Sequence, residues 1–441
     1  MTIPDQVKTA LERLNAAGHE TYVVGGAVRD LVRGSGPVRD WDLATAALPE
    51  QTEAVFRDFP LIETGLKHGT VTVLLDGMPL EITTFRVDGA YTDHRRPDGV
   101  RFTGRLEEDL ARRDFTINAM AWSPQRGLVD PFGGSGDIRR GLIRCVGTPE
   151  RRFQEDALRI LRALRFSSEL RFAIEKETAA ALRRQRELLG AVAAERVHSE
   201  LTRLLCGPGA EEVLLKYGDV LAVPIPELAP MFGFQQHNSH HDRDVWAHTA
   251  AVVGAVPPRP VLRWAALLHD VGKPECFTVD EKGTGHFYGH ARRGAELADA
   301  VLSRLRFDTR SRERIVELVR RHDAPIPPEE GAVKHLLNRM GPEGTEELIA
   351  LHRADTLGQS PLCHGRLADY DRAEELRRAL LERAACFSLK NLAVNGRDLL
   401  ALGLRGPAVG RGLDACLDAV MDGRVPNRRE ELLMLLKNKQ A

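Results

Sequence analysis

The sequence predicts an α+β fold, in which a small N-terminal head with a mixed sheet and helices precedes a long, mostly helical remainder. Short apolar segments typical of strands, such as Val71–Leu75 and Leu80–Phe85, occur within roughly the first 140 residues. From about residue 141 onward, apolar residues recur with helical spacing. The 441 residues allow roughly three domains. A content of 43% apolar and 28% charged residues is typical of a folded globular chain.

Each element of the head is bounded by turn-forming residues. Val7–Ala17 has apolar residues on one helical face and predicts an amphipathic helix. Glu20–Val24 predicts a strand that stops at Gly25-Gly26, and Ala27–Arg33 predicts a helix that ends at the following glycines and proline. Asp76-Gly77 predicts the turn between the two later strands. The head therefore combines strands with short helices.

Segments rich in glycine and proline divide the chain into four predicted regions. The helical remainder begins with helices over Pro149–Phe166, Glu175–Leu189 and Val192–Leu205, and Gly207-Pro208-Gly209 ends this group. Another boundary lies near residues 358–365. The predicted regions are a head at 1–140, a helical neck at 141–206, a helical body at 207–365 and a helical tail at 366–441.

Composition argues against several classes of protein. No apolar run approaches the ~20 residues that cross a bilayer, and the first residues lack the charged-then-apolar pattern of a secretion signal. The six cysteines are scattered without a Cys-x-x-Cys pair, which argues against a disulfide framework and suits the reducing cytoplasm. With a net charge of −1, any contact with nucleic acid would depend on local basic patches. We therefore expect a cytoplasmic protein with no membrane partner.

Three acidic residues of the head form a candidate metal site. In Asp40-Trp41-Asp42, alternation along a strand would place both carboxylates on one face. Two close carboxylates repel unless a cation lies between them, and Mg²⁺ prefers such ligands together with substrate phosphates. Glu81 lies in an otherwise apolar strand, where a carboxylate is costly unless it pairs or binds a metal. The three carboxylates could hold two metal ions about 4 Å apart, which activate a hydroxyl for attack on a phosphate.

A glycine pair supplies the second half of this candidate site. Gly25 and Gly26 would let a triphosphate approach the backbone, and the N-terminus of the following helix favours anions. Taken alone, Gly-Gly is more often a tight turn, and Asp-x-Asp is more often a solvated turn. Because both occur in one head, with a strand glutamate about 40 residues beyond the aspartates, we favour a nucleotidyltransferase.

Three segments of the chain carry a family resemblance. Gly25–Asp30, Asp40–Thr45 and Arg112–Ala119 resemble the head of the bacterial class II family of tRNA nucleotidyltransferases and poly(A) polymerases. The resemblance implies that Asp40 and Asp42 are catalytic metal ligands and that Arg112–Asp114 meets the ribose or triphosphate of the incoming nucleotide. The predicted nucleotide-binding residues are Gly25, Gly26, Arg29, Arg112, Arg113, Asp114, Asn118, Asp156, Arg159, Arg162 and Arg165.

The segment Glu155–Arg159 is a candidate for selection of the base. It is predicted to be helical, so that Asp156 and Arg159 would be neighbours on one face. A carboxylate beside a guanidinium complements the amine donor and ring-nitrogen acceptor that cytosine and adenine share on their Watson–Crick edges. The spacing alone favours an ordinary ion pair. The resemblance implies nucleotide selection, because Glu-Asp-x-x-Arg is the selecting motif of that family.

Two further segments bear on the RNA substrate. In enzymes that this chain resembles, a flexible loop corresponding to residues 91–100 is needed for the change from adding C to adding A, and its full length here favours addition of C, C and then A. The tail carries basic residues that would contact the RNA backbone, with a solvated helical end as the alternative reading. These basic residues are Arg424, Arg428, Arg429, Lys437 and Lys439.

Histidines cluster between residues 237 and 322. The apolar helix Val261–Leu268 ends at His269-Asp270, and an adjacent His–Asp pair at the end of a buried helix is hard to explain by packing. This pattern resembles the HD phosphohydrolase superfamily. The resemblance implies a metal site formed by His248, His269, Asp270 and Asp355, with His290 and His322 as secondary ligands. Histidines 237, 240 and 241 are predicted to be surface or hydrogen-bonded core residues.

Imidazole and carboxylate ligands in this second site suit Mn, Ni, Co, Fe or Zn. A water molecule bound to such a metal could hydrolyse phosphoesters. In related tRNA-processing enzymes the HD site has phosphatase or 2′,3′-cyclic phosphodiesterase activity, and the resemblance implies this as a further activity here.

The sequence thus predicts an enzyme that adds C, C and A to the 3′ end of tRNA from CTP and ATP. The reaction would be a template-independent two-metal transfer with Mg²⁺ in the head. One alternative within the family is an enzyme that adds only A, or a poly(A) polymerase. An alternative from another class is an HD metal phosphohydrolase whose head serves as an RNA-binding module.

Overall fold

The structure is a computed structural model that describes residues 3–34, 36, 38, 40–65, 69–89 and 99–438. The chain forms two compact units. The first comprises Met1–Gly209 with Asp219–Pro226, and the second comprises Ala210–Gly218 with Glu227–Ala441. Most of the predicted loop at residues 91–100 lies outside the described residues, as does Lys439 of the tail.

A mixed sheet forms the centre of the head. The strands of the described residues are β1 (Thr21–Val24), β2 (Asp42–Thr45), β3 (Leu61–Gly65), β4 (Thr70–Leu75), β5 (Met78–Thr84), β6 (Arg86–Asp88), β7 (Val100–Phe102), β8 (Ala121–Ser123), β9 (Gly127–Val129), β10 (Leu142–Ile143), β11 (Ala173–Ile174), β12 (Thr278–Val279) and β13 (Gly285–His286). The central sheet has the strand order β3-β4-β5-β2-β1-β8-β9. Its strands β2 and β5 are parallel, and its other neighbouring strands are antiparallel.

Helices form most of the remaining described chain, which confirms the predicted α+β class. They are α1 (Asp5–Ala16), α2 (Gly26–Arg33), α3 (Pro49–Val55), α4 (Leu106–Ala111), α5 (Gly134–Arg140), α6 (Pro149–Glu155), α7 (Leu158–Leu170), α8 (Lys176–Arg184), α9 (Ala194–Cys206), α10 (Ala210–Leu221), α11 (Val245–Ala255), α12 (Pro260–Leu268), α13 (His290–Arg304), α14 (Thr309–Arg321), α15 (Glu330–Gly358), α16 (Leu367–Glu382), α17 (Gly396–Ala401), α18 (Pro407–Met421) and α19 (Arg429–Asn438). Non-helical backbone angles interrupt α10 at Tyr217 and α15 at Gly341.

The register of the central strands brings three functional positions together. Val24, the last residue of β1, pairs with Asp42 at the start of β2. Asp42 pairs in turn with Glu81 of the parallel strand β5. Because residues paired across two strands project to the same face of a sheet, the side chains of Asp42 and Glu81 lie side by side.

The strands that carry these positions are held by a buried core. All four residues of β1 are buried. Tyr22 and Val24 of this strand pack in one cluster with Ala44 and with Leu106 and Leu110 of α4. Burial of a Leu or Val side chain stabilises a fold by roughly 1.5–3 kcal/mol. The core therefore fixes the strand ends at which the polar residues of the head emerge.

The prediction of a single helix over Pro149–Phe166 is wrong, because α6 ends at Glu155 and α7 begins at Leu158. Asp156 between them has extended backbone angles, with φ −141° and ψ 104°. Its carboxylate accepts the backbone N–H of Leu158 at 3.1 Å. This local bond competes with helical hydrogen bonding and favours a break in the helix.

The second unit is almost wholly helical over its described residues. The helices at its C-terminal end enclose a core that includes Leu399, Cys416, Leu432 and Leu436. All six cysteines of the chain are free thiols, which agrees with the predicted absence of a disulfide framework. Over the described residues, no helix combines the length and the apolar character of a membrane span.

Candidate functional site

A polar cleft of about 790 Å³ opens in the first unit. This volume falls in the range of small-molecule sites. The predicted residues that line the cleft are Gly25, Gly26, Arg29, Asp40, Asp42, Arg112, Arg113, Asp114, Asn118, Asp156, Arg159, Arg162 and Arg165. Glu81 lies beside Asp42 in the sheet but does not itself line the cleft.

The turn between β1 and α2 requires glycine. Gly25 has φ +69° and ψ −131°, a backbone conformation that residues with a Cβ atom rarely adopt. A Cβ at this position would lie 3.1 Å from Nη1 of Arg113. The glycine thus lets an arginine of the cleft lie directly against the backbone at the start of α2.

The two aspartates of the head both face the cleft. Asp40 and Asp42 are exposed, whereas Trp41 between them is 7% exposed. The predicted shared face is therefore present, although β2 begins only at Asp42 and Asp40 precedes the strand. The pKa of Asp42 is raised by partial burial and by the carboxylates of Glu81 and Asp40, against the opposing effect of Arg113. Three carboxylates in this arrangement form an acidic group suited to a divalent cation.

The reason given for Glu81 from the sequence is wrong in one respect. The strand around it is apolar, but Glu81 points to the open face of β5 and is exposed. Its carboxylate therefore remains hydrated, and burial alone does not require a metal. Its position beside Asp42 is what relates it to the cleft.

Asp109 on α4 is a site residue that the sequence prediction missed. Its buried carboxylate accepts hydrogen bonds from Nε of Arg112 at 2.9 Å and from Nη2 of Arg113 at 3.2 Å. Burial alone would raise the pKa of Asp109, but the two arginines outweigh burial and lower it. The spacing of three and four residues from these arginines is the sequence signal that could have identified it.

Asp114 is the centre of a polar network that joins the predicted head and neck. Its carboxylate accepts hydrogen bonds from Nε of Arg162 at 2.8 Å and from the side-chain amide of Asn118 at 3.2 Å. The amide oxygen of Asn118 accepts Nη1–H of Arg29 at 3.0 Å. Burial alone would raise the pKa of Asp114, but the nearby charges of Arg162 and Arg159 and these hydrogen bonds lower it to about 2.

The ordinary ion pair between Asp156 and Arg159, which the spacing alone favours, is not formed, because the helix is broken between α6 and α7. Asp156 instead pairs with Arg196 of α9, at 3.3 Å for Nη1–Oδ1 and 2.8 Å for Nη2–Oδ2. Arg159 pairs with Glu155, at 2.8 Å between Nη1 and Oε2. Both Asp156 and Arg159 nevertheless line the cleft. Glu155 holds Arg159, and Arg196 holds Asp156, from positions outside the cleft lining. Only the tertiary structure identifies Arg196 as a partner of Asp156.

Arg165 is directed toward a buried glutamate of α9. Arg165 is 2% exposed, and its Nε lies 2.8 Å from Oε2 of Glu200. Burial lowers the pKa of Arg165 to about 10, although the charge of Glu200 opposes this change. Glu200 also lies 3.8 Å from Nη1 of Arg162. Glu200 thus neutralises part of the arginine group at this end of the cleft, and the sequence prediction did not include it.

The second unit brings together the predicted metal ligands of the HD region. Nε2 of His248 lies 2.9 Å from Oδ1 of Asp355, and Nε2 of His269 lies 3.2 Å from Oδ2 of Asp270. The same Asp270 has its other oxygen 3.6 Å from His290 Nε2 and 3.5 Å from His322 Nε2. Two groups, namely His248–His269–Asp270 and Asp270–His290–His322, each have ligand atoms within 4.8 Å of one another.

Backbone carbonyl groups orient three of these histidines. His269, His290 and His322 each place Nδ1 at 2.8, 2.8 and 2.7 Å from the carbonyl oxygen three residues earlier. A carbonyl accepts only from N–H, so in a neutral ring the lone pair lies on Nε2. The Nε2 atoms of His290 and His322 are 3.1 Å apart. Two lone pairs at this distance repel, so the arrangement requires a proton or a metal cation beside them.

Polar residues around this cluster were missed from the sequence. Lys273 is buried, with Nζ 2.8 Å from Oδ2 of Asp270 and 2.9 Å from Oε1 of Gln236. Burial lowers the pKa of His241 to about 3, with a further contribution from Lys273. The Nδ1 atom of His241 has no hydrogen-bond partner among the described residues. The prediction of a surface or hydrogen-bonded core residue is therefore wrong for His241, whereas His237 is exposed as predicted.

The basic tail is partly neutralised by its own acidic residues. Nη2 of Arg429 lies 2.6 Å from Asp398, and Nη2 of Arg424 lies 2.8 Å from Asp422. Both arginines are exposed, as is Asp422, so the Arg424–Asp422 pair contributes little to stability. Contact between the tail and tRNA remains a prediction.

Comparison with family models identifies three regions of the chain. The model described as "Poly A polymerase head domain" matches residues 21–144. The model described as "Probable RNA and SrmB- binding site of polymerase A" matches residues 171–231. The model described as "HD domain" matches residues 241–359.

Comparison with curated proteins and solved structures gives a consistent result. A CCA-adding enzyme of Geobacillus stearothermophilus is 36% identical over 437 residues, which cover 96% of this chain and 94% of that enzyme. A CCA-adding enzyme of Ligilactobacillus salivarius is 43% identical over 255 residues, which cover 55% of this chain and 62% of that enzyme. A Bacillus stearothermophilus CCA-adding enzyme in complex with CTP superposes with a TM-score of 0.77 at 32% identity, covering 100% of this chain and 98% of that one.

Proposed function

Because this chain belongs to the family of CCA-adding enzymes, we propose that the cleft of its first unit adds C, C and A to the 3′ end of tRNA from CTP and ATP. The observation that carries this proposal is the register that sets Asp42 beside Glu81 and beside the end of β1. The carboxylate of Asp42 thus adjoins the Gly25 turn in an arginine-lined cleft. The complex of the similar Bacillus enzyme with CTP supports this choice of substrate.

Asp40 and Asp42 would hold Mg²⁺ in this cleft, with Glu81 in a supporting position beside Asp42. The raised pKa of Asp42 supports the fit, because crowded carboxylates are destabilised until a cation neutralises them. When bound, Mg²⁺ would supply activation of the 3′-hydroxyl of tRNA and neutralise the leaving pyrophosphate. The 3′-hydroxyl attacks the α-phosphate of the nucleotide, a new phosphodiester bond forms, and the bond to the pyrophosphate breaks.

The other lining residues would position the nucleotide. Gly25 and Gly26 allow the triphosphate to approach the backbone at the start of α2. Arg112 and Arg113, which Asp109 holds in place, supply positive charge to the ribose and phosphates. This arrangement binds the nucleotide through groups that all four nucleoside triphosphates share.

Asp156 and Arg159 would read the base. The carboxylate of Asp156 would accept a hydrogen bond from the exocyclic amine of cytosine or adenine. The guanidinium of Arg159 would donate a hydrogen bond to the adjacent ring nitrogen. Asn118, Arg29, Arg162 and Arg165 complete the proposed set of nucleotide-binding residues. The network around Asp114 joins the first three of them to one another.

Extension of a tRNA that lacks CCA tests this function. We expect the protein to add C residues with CTP alone and to complete CCA with CTP and ATP. Asp42→Asn should abolish addition with either nucleotide, whereas Asp58→Asn, at an exposed ion pair with Arg13, should retain wild-type extension. Failure to use CTP would favour an A-adding enzyme or poly(A) polymerase, and full activity of Asp42→Asn would contradict the proposed site.

The HD region supports a second proposed activity, a metal-dependent phosphohydrolase such as a phosphatase or 2′,3′-cyclic phosphodiesterase. The fixed orientation of His269, His290 and His322 around Asp270 supports binding of Ni, Mn, Co, Fe or Zn. His248 and Asp355 complete the ligand set. A metal in this set would supply a water molecule of lowered pKa for attack on a phosphoester.

Metal content and hydrolysis together test this second activity. We expect the purified protein to retain a transition metal and to hydrolyse a 2′,3′-cyclic nucleotide, and His269→Ala to lose both. His335→Ala, at an exposed contact with Asp422, is the matched control and should keep both. Retention of metal and hydrolysis by His269→Ala would contradict the proposed ligand set, while CCA addition should persist in both variants.

We propose that the two activities follow the four-region division of the chain. The head at 1–140 and neck at 141–206 carry nucleotide transfer, the body at 207–365 carries the metal site, and the tail at 366–441 contacts tRNA. The six free cysteines support a cytoplasmic location.

A further inference from the structure

We propose that Arg196 is a positioning residue that determines how many hydrogen bonds Asp156 can accept, and that it thereby excludes guanine from the cleft. This inference rests on the proposed reading of the base by Asp156 and Arg159. Arg196 belongs to α9 and lies outside the cleft lining, whereas Asp156 lines the cleft. Arg196 therefore acts through the carboxylate that it holds.

The first step is a count of the acceptor sites of Asp156. A carboxylate has about four lone-pair sites, two on each oxygen. Oδ1 accepts the backbone N–H of Leu158 at 3.1 Å and Nη1–H of Arg196 at 3.3 Å. Oδ2 accepts Nη2–H of Arg196 at 2.8 Å. Among the described residues these contacts fill Oδ1 and leave one site, which is on Oδ2.

The second step compares this single site with the bases. Cytosine and adenine present one exocyclic amine beside a ring-nitrogen acceptor, so one free acceptor on Asp156 is sufficient for either base. Guanine presents two adjacent donors, a ring N–H and an amine, which suit a carboxylate with one free site on each oxygen. Because Oδ1 is filled, Asp156 cannot accept both donors of guanine. Uracil presents a single ring N–H, so a second free oxygen would add little to its binding.

The third step is the rigidity of the arrangement. The two contacts from Arg196 form a parallel fork to both oxygens of Asp156, and both side chains are largely buried, at 29% and 16% exposed. The backbone bond to Leu158 fixes the same carboxylate from the other side. Rotation of the carboxylate to free a second oxygen would break at least one of these bonds.

Arg159 is held separately and does not compensate for loss of Arg196. Its Nη1 donates to Glu155 at 2.8 Å and to the carbonyl of Arg152 at 3.2 Å, and its Nη2 donates to the carbonyl of Arg112 at 3.0 Å. These bonds use three of the five N–H groups of a guanidinium. Two remain to donate to a ring nitrogen, whether or not Arg196 is present.

Single-nucleotide extension of tRNA lacking CCA, with CTP and with GTP, tests the inference. In Arg196→Ala we expect the ratio of GTP to CTP incorporation, measured as kcat/KM, to rise about tenfold or more, as expected for one gained charge-assisted hydrogen bond. The UTP to CTP ratio should rise much less. Arg184→Ala, an exposed arginine of the neck that pairs with Glu150, is the matched control and should keep wild-type ratios.

Arg196→Lys provides a second variant that retains the positive charge but not the two-pronged contact. It should also raise the GTP to CTP ratio, and it replaces Arg196→Ala in the test if that variant does not fold. An unchanged GTP to CTP ratio in the folded variant overturns the role of Arg196. A wild-type ratio in Asp156→Ala overturns the proposed base reading itself, so the two failures are distinguishable.

Discussion

The buried carboxylate of Asp114 allows a quantitative prediction of stability. In Asp114→Asn the side chain keeps its size and its acceptor for Asn118 but loses the charge that pairs with Arg162. The pKa of Asp114 is lowered from 3.8 to about 2 in the folded protein. A difference of this size corresponds to about 2.4 kcal/mol in favour of the folded state at neutral pH.

The sign of the pH dependence follows from the direction of this change in pKa. Because the pKa is lower in the folded state, the stabilisation is complete above the unfolded value of 3.8 and disappears as pH falls through about 2. At pH 3 about 1.3 kcal/mol should remain. The difference between wild type and Asp114→Asn should therefore be greatest near pH 7 and smaller at pH 3.

Scanning calorimetry without nucleotide, which resolves the transitions of separate units, measures this effect. At pH 7 the transition of the first unit in Asp114→Asn should lie roughly 5–10 °C below that of the wild type, and the gap should be about half as large at pH 3. Asp58→Asn, at an exposed ion pair with Arg13, should have the same transition temperature as the wild type. A gap at pH 7 that is absent, or that does not shrink at pH 3, would refute the assigned charge interaction.

Three further substitutions have defined expected outcomes. Gly25→Ala places a Cβ at φ +69° and 3.1 Å from Arg113, and should cost about 1–3 kcal/mol of stability and lower CTP addition at least tenfold. Glu200→Gln removes the carboxylate charge that lies 2.8 Å from Nε of the buried Arg165, and should lower the free energy of unfolding by about 3–5 kcal/mol in denaturant titrations. Gly358→Ala places a Cβ 3.0 Å from Nδ1 of His248 and should lower the metal content of the HD region without changing CCA addition.

Matched variants separate these effects from general damage. Gly410→Ala, at a helical glycine with open space around it, should gain about 0.5–1 kcal/mol of stability and keep wild-type activity and metal content. Normal extension by Gly25→Ala would show that the strained turn is dispensable. Wild-type unfolding of Glu200→Gln would contradict the pairing with arginine, and unchanged metal content in Gly358→Ala would contradict the close approach to His248.

Much of the head could be predicted from local patterns. A glycine pair after a strand permits a tight turn, and alternation along a strand places two aspartates separated by one residue on one face, because backbone freedom and side-chain alternation are local properties. The structure places Gly25, Asp40 and Asp42 around one cleft, as predicted. The pairing of Asp42 with Glu81 depends on the parallel register of β2 and β5. The spacing of these residues along the chain does not predict that register.

The segment Glu155–Arg159 shows where the local prediction of a continuous helix failed. The spacing of Asp156 and Arg159 predicts a helical ion pair only if the helix is continuous. The bond from Asp156 to the N–H of Leu158 competes with the helix, and Arg196 offers a better partner from 40 residues away. Glu200 was missed for a related reason, since its partner Arg165 lies on another helix. Asp109 differs, because its spacing of three and four residues from Arg112 and Arg113 was available in the sequence.

Local patterning therefore specified the α+β class, the glycine turn and the acidic pair. Each of these depends on the type of residue and its near neighbours, whereas the candidate histidine ligands followed from the family resemblance. Packing decided which charged groups meet. It set Glu81 beside Asp42 and brought Arg196 to Asp156. It also placed the histidine side chains around Asp270. The physical reason is that hydrogen bonds and ion pairs act over a few ångströms, and only the folded chain brings residues far apart in sequence within that range.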